Sequence, residues 1–235
     1  MTRIFLFGAG GRMGRAIAAI AATRDDVEIA AEAAGADVFV DFSASDVLDA
    51  NLRTAVEAGK PILVGTTGLA PDHHRAIDAA AEKVAVLQAA NTSYGVAVLR
   101  ALVEQAAHLL GADWDAEILE MHHRRKLDTP SGTALLLGAS IHEGRGAESR
   151  IAHNRFDRMQ EGPHEREEGG VYYASLRGGT VAGEHLVIFA GDDERIELGH
   201  RAQKRSIFAK GAVRAALWLK GRPAGRYTMA DVLGL

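Results

Sequence analysis

Between Glu117 and Ala134 the chain reads Glu-Ile-Leu-Glu-Met-His-His-Arg-Arg-Lys-Leu-Asp-Thr-Pro-Ser-Gly-Thr-Ala. Two imidazoles, His122 and His123, and the ammonium of Lys126 stand just ahead of a helix start. Asp128 or Thr129 is expected to cap that helix and Pro130 to occupy its first turn, where a missing N–H costs nothing. Ser131, Gly132 and Thr133 then offer N–H and hydroxyl donors at the positive helix end, which suits an anion. Imidazoles and an ammonium beside such a helix end fit a carboxylate substrate. The same residues also make a solvated basic turn before a capped helix, so residue types alone leave both readings open.

A second constellation lies at the start of the chain, where Gly8-Ala9-Gly10-Gly11-Arg12-Met13-Gly14 follows an apolar run and opens a helical pattern. Glycines there let the backbone turn sharply and approach a pyrophosphate, whose charge the helix-end N–H groups stabilise, and Arg12 adds a cation. The bare pattern also serves simple strand-to-helix packing, but the strand–turn–helix context favours a dinucleotide. Gly65-Thr66-Thr67-Gly68 and Ala89-Ala90-Asn91-Thr92-Ser93 each follow a strand-like run. Their small and hydroxylated residues fit a flat nicotinamide and its ribose, although ordinary turns look the same. Glu32 is the acidic candidate for the adenosine ribose, some 20 residues past the glycines. Only six positions separate it from Val38, too few for a covering helix, so an abbreviated adenosine pocket is expected.

The elements that must hold these groups follow from apolar periodicity. Ile4–Phe7, Val27–Ala31, Val38–Phe42, Pro61–Val64 and Val84–Leu87 read as strands with helices between most of them, the signature of a parallel α/β sheet. Val98, Leu99, Leu102, Val103, Ala106 and Leu110 recur at helical spacing between Ser93 and Leu110. Strands follow at Glu117–Met121, Val171–Leu176, His185–Phe189 and Arg195–His200, and a last long helix at Ser206–Leu219. The polar stretch from His142 to Gly170 reads as a surface loop long enough for a lid or an oligomer contact. The expected fold is α/β: a Rossmann-like dinucleotide domain over residues 1–92, with 206–235 packing back on it. A mixed α+β substrate and oligomerisation domain spans 93–205.

Composition narrows the function. An apolar fraction of 47%, a charged fraction of 25% and a net charge of −4 describe a soluble globular chain without a cationic field for nucleic acid. No cysteine is present, which removes thiolate metal sites and cysteine nucleophiles, and no metal site is expected. No signal peptide or membrane-length apolar run is seen, so a cytoplasmic protein is expected. His73, His74, His108, His142, His153 and His164 are read as solvated surface.

The 117–134 stretch resembles the signature Glu-x-His-x-x-x-Lys-x-Asp-x-Pro-Ser-Gly-Thr-Ala of the dihydrodipicolinate reductases. The glycine turn, Val40-Asp41-Phe42-Ser43, Gly65-Thr66-Thr67-Gly68 and Ala89-Ala90-Asn91 are similar to that family in the same order. So are Arg177 through His185, Arg205 through Ala212 and Ala216-Leu217-Trp218-Leu219. The resemblance implies NADH- or NADPH-dependent reduction of a small cyclic dicarboxylate, on the diaminopimelate route to lysine, by a homotetramer. It implies proton chemistry at His122 and Lys126, and substrate contacts at His123, Gly132 and Thr133. Cofactor contacts are implied at Gly8, Ala9, Gly10, Gly11, Arg12, Met13, Gly65, Thr66, Thr67, Ala89, Ala90, Asn91 and Thr92. Typical members carry about thirty more residues after the second strand, and the family's acidic position aligns with Ala34 rather than Glu32. Two other readings remain at this point: a related reductase or dehydrogenase of a small amino or imino acid, such as an aspartate dehydrogenase, and a noncatalytic nucleotide sensor.

Overall fold

Apolar runs that lack polar alternation must be covered on both faces, and Val38–Asp41 (β3) and Ile62–Val64 (β4) are buried at every position. In the computed structural model they sit at the centre of a parallel sheet with Thr2–Phe7 (β1), Val27–Ile29 (β2), Ala85–Gln88 (β5) and Gly225–Tyr227 (β11). The order is β11-β5-β4-β3-β1-β2. Residues 1–146, 154–156 and 162–235 are described, and they divide into two units, Met1–Tyr94 with Ser206–Leu235, and Gly95–Arg205.

Period-two alternation within the central strands assigns each face of the first unit's sheet. Phe39, Ile62, Val64 and Val86 join Leu48 and Leu52 of helix Leu48–Glu57 (α2) and Ile77 of helix Pro71–Ala81 (α3) in one core cluster. Helix Ser206–Leu219 (α6) packs on β3, β4 and β5 and against helix Arg12–Ala21 (α1), with the short helix Met229–Leu233 (α7) beside it. The six-residue link from Glu32 to Val38 carries one 3-10 turn, Ala33–Gly35, and no covering helix. Strand β11 and helix α7 escape sequence reading because a three-residue strand and a five-residue helix leave no measurable period.

The second unit holds a mixed sheet in the order β10-β9-β6-β8-β7. Its strands are Asp115–His122 (β6), Asn154–Arg155 (β7), Val171–Arg177 (β8), Glu184–Ala190 (β9) and Arg195–Arg201 (β10). β6 is central, parallel to β8 and antiparallel to β9. Ile118, Val171, Tyr173, Val187 and Phe189 face helices Tyr94–Leu110 (α4) and Gly132–Gly144 (α5), which contribute Leu99, Val103, Leu137 and Ile141 to one core. The other face carries Leu119, Met121, Leu176 and Leu186 around a groove of about 350 Å³, and Leu176 is 48% exposed.

Two expectations change here. The buried stripe of α4 is Val96, Leu99, Val103 and Ala107, while Val98 and Leu102 are exposed. Those two lie one position off the true stripe, and apolar periodicity cannot tell neighbouring stripes apart when both are aliphatic. The polar stretch does not begin at His142, because α5 continues through Gly144 and buries that histidine against Asn154, Nε2 to Oδ1 at 3.0 Å. Positions 147–153, including His153, and 157–161 lie outside the described residues, and with them part of the expected lid. No helix among the described residues is long and apolar enough to cross a membrane.

Candidate active site

Strand β6 delivers the second unit's chemistry. Its inward positions run Ala116, Ile118, Glu120, His122, so the alternation that builds the core turns a carboxylate and an imidazole to the same side. A slip of one residue in the β6–β8 register would send both to the opposite face. Glu120 is 1% exposed. Its carboxylate receives Arg177 Nη1 at 2.9 Å and Nη2 at 2.7 Å, the Ser131 amide at 3.2 Å, and His122 Nδ1 at 2.5 Å. Burial pushes the Glu120 pKa up, but donors from Arg177, Ser175 and His122 overcome it and hold the group at about 2. Burial also lowers His122, and the charges of Lys126 and Arg177 act the same way against the opposing pull of Glu120.

Helix α5 opens at Gly132, not at Pro130. The cap is Ser131, whose Oγ accepts from the Ala134 amide at 3.2 Å, and Asp128 and Thr129 lie outside it. Asp128 instead receives Lys126 Nζ at 2.7 Å, and its carbonyl receives Arg177 Nη2. Ser131 Oγ also lies 3.0 Å from His185 Nε2 on β9, a hydrogen bond whose donor is set by the His185 tautomer. Burial lowers the His185 pKa to about 4, with the His122 charge adding to it. The His122 and His185 rings meet edge to face at 5.2 Å. The loop bearing Lys126 is tied down by its own backbone, with Lys126 N donating to His123 O and Arg125 N to His123 Nδ1. His122 is therefore paired with Glu120, whereas sequence spacing had paired it with Lys126.

In the first unit the parallel sheet brings the ends of β1, β3, β4 and β5 to one edge, the side on which open α/β sheets bind ligands. Gly8 turns with φ +80°, and a Cβ there would stand 2.6 Å from the Phe42 carbonyl oxygen. Gly14 packs so tightly that a Cβ would meet Gly8 O at 2.4 Å, whereas Gly10 has nothing within 4 Å. No side chain caps α1 and no acidic residue sits in its first turn, so the amides following Gly11 remain for an anion. A dinucleotide pyrophosphate fits this cradle. Arg12 is exposed there, and Arg15 reaches back to the Gly10 carbonyl. Glu32 is exposed at the same sheet end, preceding the 3-10 turn after β2.

Asp41, fully buried at the end of β3, ties the neighbouring loops. It receives Ser43 N at 2.8 Å, Ser43 Oγ at 2.5 Å, Asn51 Nδ2 at 2.9 Å and Thr66 Oγ1 at 3.0 Å. Thr66 is thus turned inward, while Thr67 is exposed. Gly65 lies against the Phe42 ring, where a Cβ would be 2.3 Å from Cε1. In the β5 loop, Asn91 Oδ1 accepts the Ser93 amide and Thr92 Oγ1 donates to Phe208 O of α6 at 2.7 Å. Ala89 is buried and Ala90 exposed.

Comparison with known proteins decides the family. The profile described as "Dihydrodipicolinate reductase, C-terminus" matches residues 95–233, and "Dihydrodipicolinate reductase, N-terminus" matches 30–92. The chain belongs to the dihydrodipicolinate reductase family. It is 50% identical to the 4-hydroxy-tetrahydrodipicolinate reductase of Zymomonas mobilis, over 99% of this chain and 97% of that protein. The Caulobacter vibrioides protein of the same name is 42% identical over the same shares. In fold, a solved dihydrodipicolinate reductase from Paenisporosarcina sp. TG-14 superposes with a TM-score of 0.76, 21% identity and 98% coverage of both chains.

Within that family frame, the structure gathers His122, Lys126, His123 and the Gly132–Thr133 helix start in the second unit, and the three glycine and hydroxyl loops in the first. Sequence reading held Glu120, Arg177, His185, Gly183 and Asp41 only as members of family motifs and gave none of them a role in the site. A charged residue at an inward position of an alternating strand, as Glu120 is, was the signal available for the first of them.

Proposed function

We propose that this chain reduces 4-hydroxy-tetrahydrodipicolinate to tetrahydrodipicolinate with NADH or NADPH, water being lost, on the diaminopimelate route to lysine. The observation that carries this reading is the joining of His122 and the Ser131-capped start of α5 through Glu120 and Arg177, with Lys126 tied in through Asp128, in a member of this family. The amides following Gly11, with Arg12, hold the pyrophosphate, and the loops at Gly65–Thr67 and Ala89–Thr92 hold the nicotinamide end. Glu32 stands where it can meet the adenosine ribose. When bound, the reduced nicotinamide supplies the hydride that the substrate ring accepts.

The start of α5, with Gly132 and Thr133, orients one carboxylate through backbone and hydroxyl donors, and His123 contacts the substrate. Lys126 places a permanent positive charge beside the dianion. His122, protonated at Nε2, gives its proton to the ring atom on which negative charge develops, and burial makes that proton easier to release. The apolar groove on the outer face of the second unit's sheet, with Leu176 exposed, supports assembly into a homotetramer. A cytoplasmic location fits the chemistry. Purified protein given freshly made synthase product should oxidise one or both cofactors, and silence with both would defeat the reading. The same assay ranks NADH against NADPH, and mass in solution tests the tetramer.

A further inference from the structure

Glu120 is the most enclosed charged side chain among the described residues of the second unit, and packing alone does not call for a carboxylate there. An aliphatic residue would continue the Ala116, Ile118 series without the cost of burying a carboxylate. Its contacts are divided. Oε2 takes His122 Nδ1 at 2.5 Å, and Oε1 takes the Ser131 amide at 3.2 Å, one residue before α5 begins. Arg177 closes on both oxygens and also holds the Asp128 carbonyl of the loop between them.

We propose that Glu120 is a positioning residue that fixes the proton-bearing nitrogen of His122 and locks that imidazole to the first residues of α5. An ionised carboxylate only accepts hydrogen bonds, so the proton between the two groups resides on His122 Nδ1. Nε2 is then the nitrogen that exchanges a proton: a lone pair when the ring is neutral, a donor when it is charged. The opposite side of the ring is kept clear for it. Gly183 faces Nε2 with φ +154°, and a Cβ there would stand 3.0 Å from that nitrogen, tighter than nearly all real contacts. One carboxylate thereby sets both the direction of the acid and its distance from the carboxylate-binding helix start.

The charged and titratable groups facing His122 are Glu120 on its own strand, Arg177 on β8, His185 on β9 and Lys126 on the following loop. Only Glu120 is negative. Replacing it with a neutral isostere leaves burial and two cations, Lys126 and Arg177, to disfavour the imidazolium. Glu120→Gln should therefore lower the His122 titration midpoint by about one unit or more. It should cut kcat by about 10²-fold or more, the scale of losing a tautomer-fixing carboxylate, with KM moving by less than about threefold.

The inference rests on the reading of His122 as the proton donor, and the test separates the two. The imidazole nitrogens of 15N-histidine-labelled wild-type enzyme, free of substrate, are followed by NMR across pH, with His122→Asn used to assign the signal. A neutral His122 protonated at Nδ1 supports the proposal even if Glu120→Gln fails to fold. A neutral ring protonated at Nε2 overturns it. So does a folded Glu120→Gln enzyme whose kcat is within twofold of wild type. A wild-type enzyme that turns over no substrate yet shows Nδ1-protonated His122 would count against the proposed function and leave the Glu120–His122 relation standing.

Discussion

Thr66 donates its hydroxyl across 3.0 Å to Asp41, a side chain 25 positions earlier that is wholly shielded from solvent. The bond joins the loop after β4 to the end of β3, so the residue that reads as a ligand contact works partly from behind. Thr66→Val keeps the shape and removes one of the donors to a buried carboxylate, at a cost of about 1–3 kcal/mol. Asp41→Ala strands Ser43, Asn51 and Thr66 together and should cost more, about 3–5 kcal/mol. Urea denaturation measures both, and equal stabilities for wild type and Asp41→Ala would show that the loops do not depend on this hub.

The glycine turn offers a sharper separation of folding from binding. Gly14→Ala puts a methyl 2.4 Å from the Gly8 carbonyl oxygen and must displace the turn, lowering both stability and cofactor affinity. Gly10→Ala meets no protein atom within 4 Å. It should melt within a few degrees of wild type and yet bind cofactor about tenfold or more weakly, because the added methyl occupies space meant for the pyrophosphate. Titration calorimetry with NADH and NADPH reads the affinity. An unchanged cofactor affinity in Gly10→Ala would remove the ligand from that cradle.

In the second unit the expected losses divide by role. His122→Ala should lower kcat by about 10²- to 10⁴-fold, the usual range for a missing general acid, with little change in KM. Lys126→Ala should also act chiefly on turnover, since its charge matters most as negative charge builds on the ring. Thr133→Val should raise KM about tenfold and spare kcat, as expected for a substrate-orienting hydroxyl. Steady-state kinetics at saturating cofactor distinguish these patterns, and a Lys126→Ala enzyme of full activity would take that ammonium out of the reaction.

The α/β class and every strand of four residues or more were legible in the sequence because each carries an unbroken apolar run or a clean alternation. So was the turned helix start, but not its cap. Asp128, Thr129 and Ser131 are all good capping types, and only the backbone path shows that Ser131 holds the Ala134 amide while Asp128 is taken by Lys126. The polar network was hidden for a different reason. Glu120 meets Ser175 and Arg177 through the β6–β8 register and His185 through the β6–β9 register. These are pairings between strands 55 to 65 positions apart that no local pattern encodes. Asp41 was likewise visible only as part of a motif, since its donors arrive from α2 and from the loop after β4.

Acid should weaken the second unit before it reaches the carboxylate range. Burial holds His185 at about 4, the nearby His122 charge adding to the effect, while an unfolded chain returns it to near 6.5. The unfolded state therefore binds the extra proton, so stability is complete above pH 6.5 and is lost as pH falls toward 4. His185 is 5% exposed, and a shift of this size corresponds to about 3 kcal/mol across that window. His122 and His200, also lowered by burial, add to the same trend. Glu120 acts at lower pH, since its stabilisation persists until protons compete below its usual 4.5 and is spent only near 2. His185→Gln keeps a polar group for Ser131 and removes the titration. Its unfolding free energy should fall less steeply than that of wild type between pH 6.5 and 4, by up to about 1.4 kcal/mol per pH unit. Parallel curves for the two proteins would mean that His185 does not titrate against folding, and the buried Ser131–His185 contact would then have to survive with a charged ring.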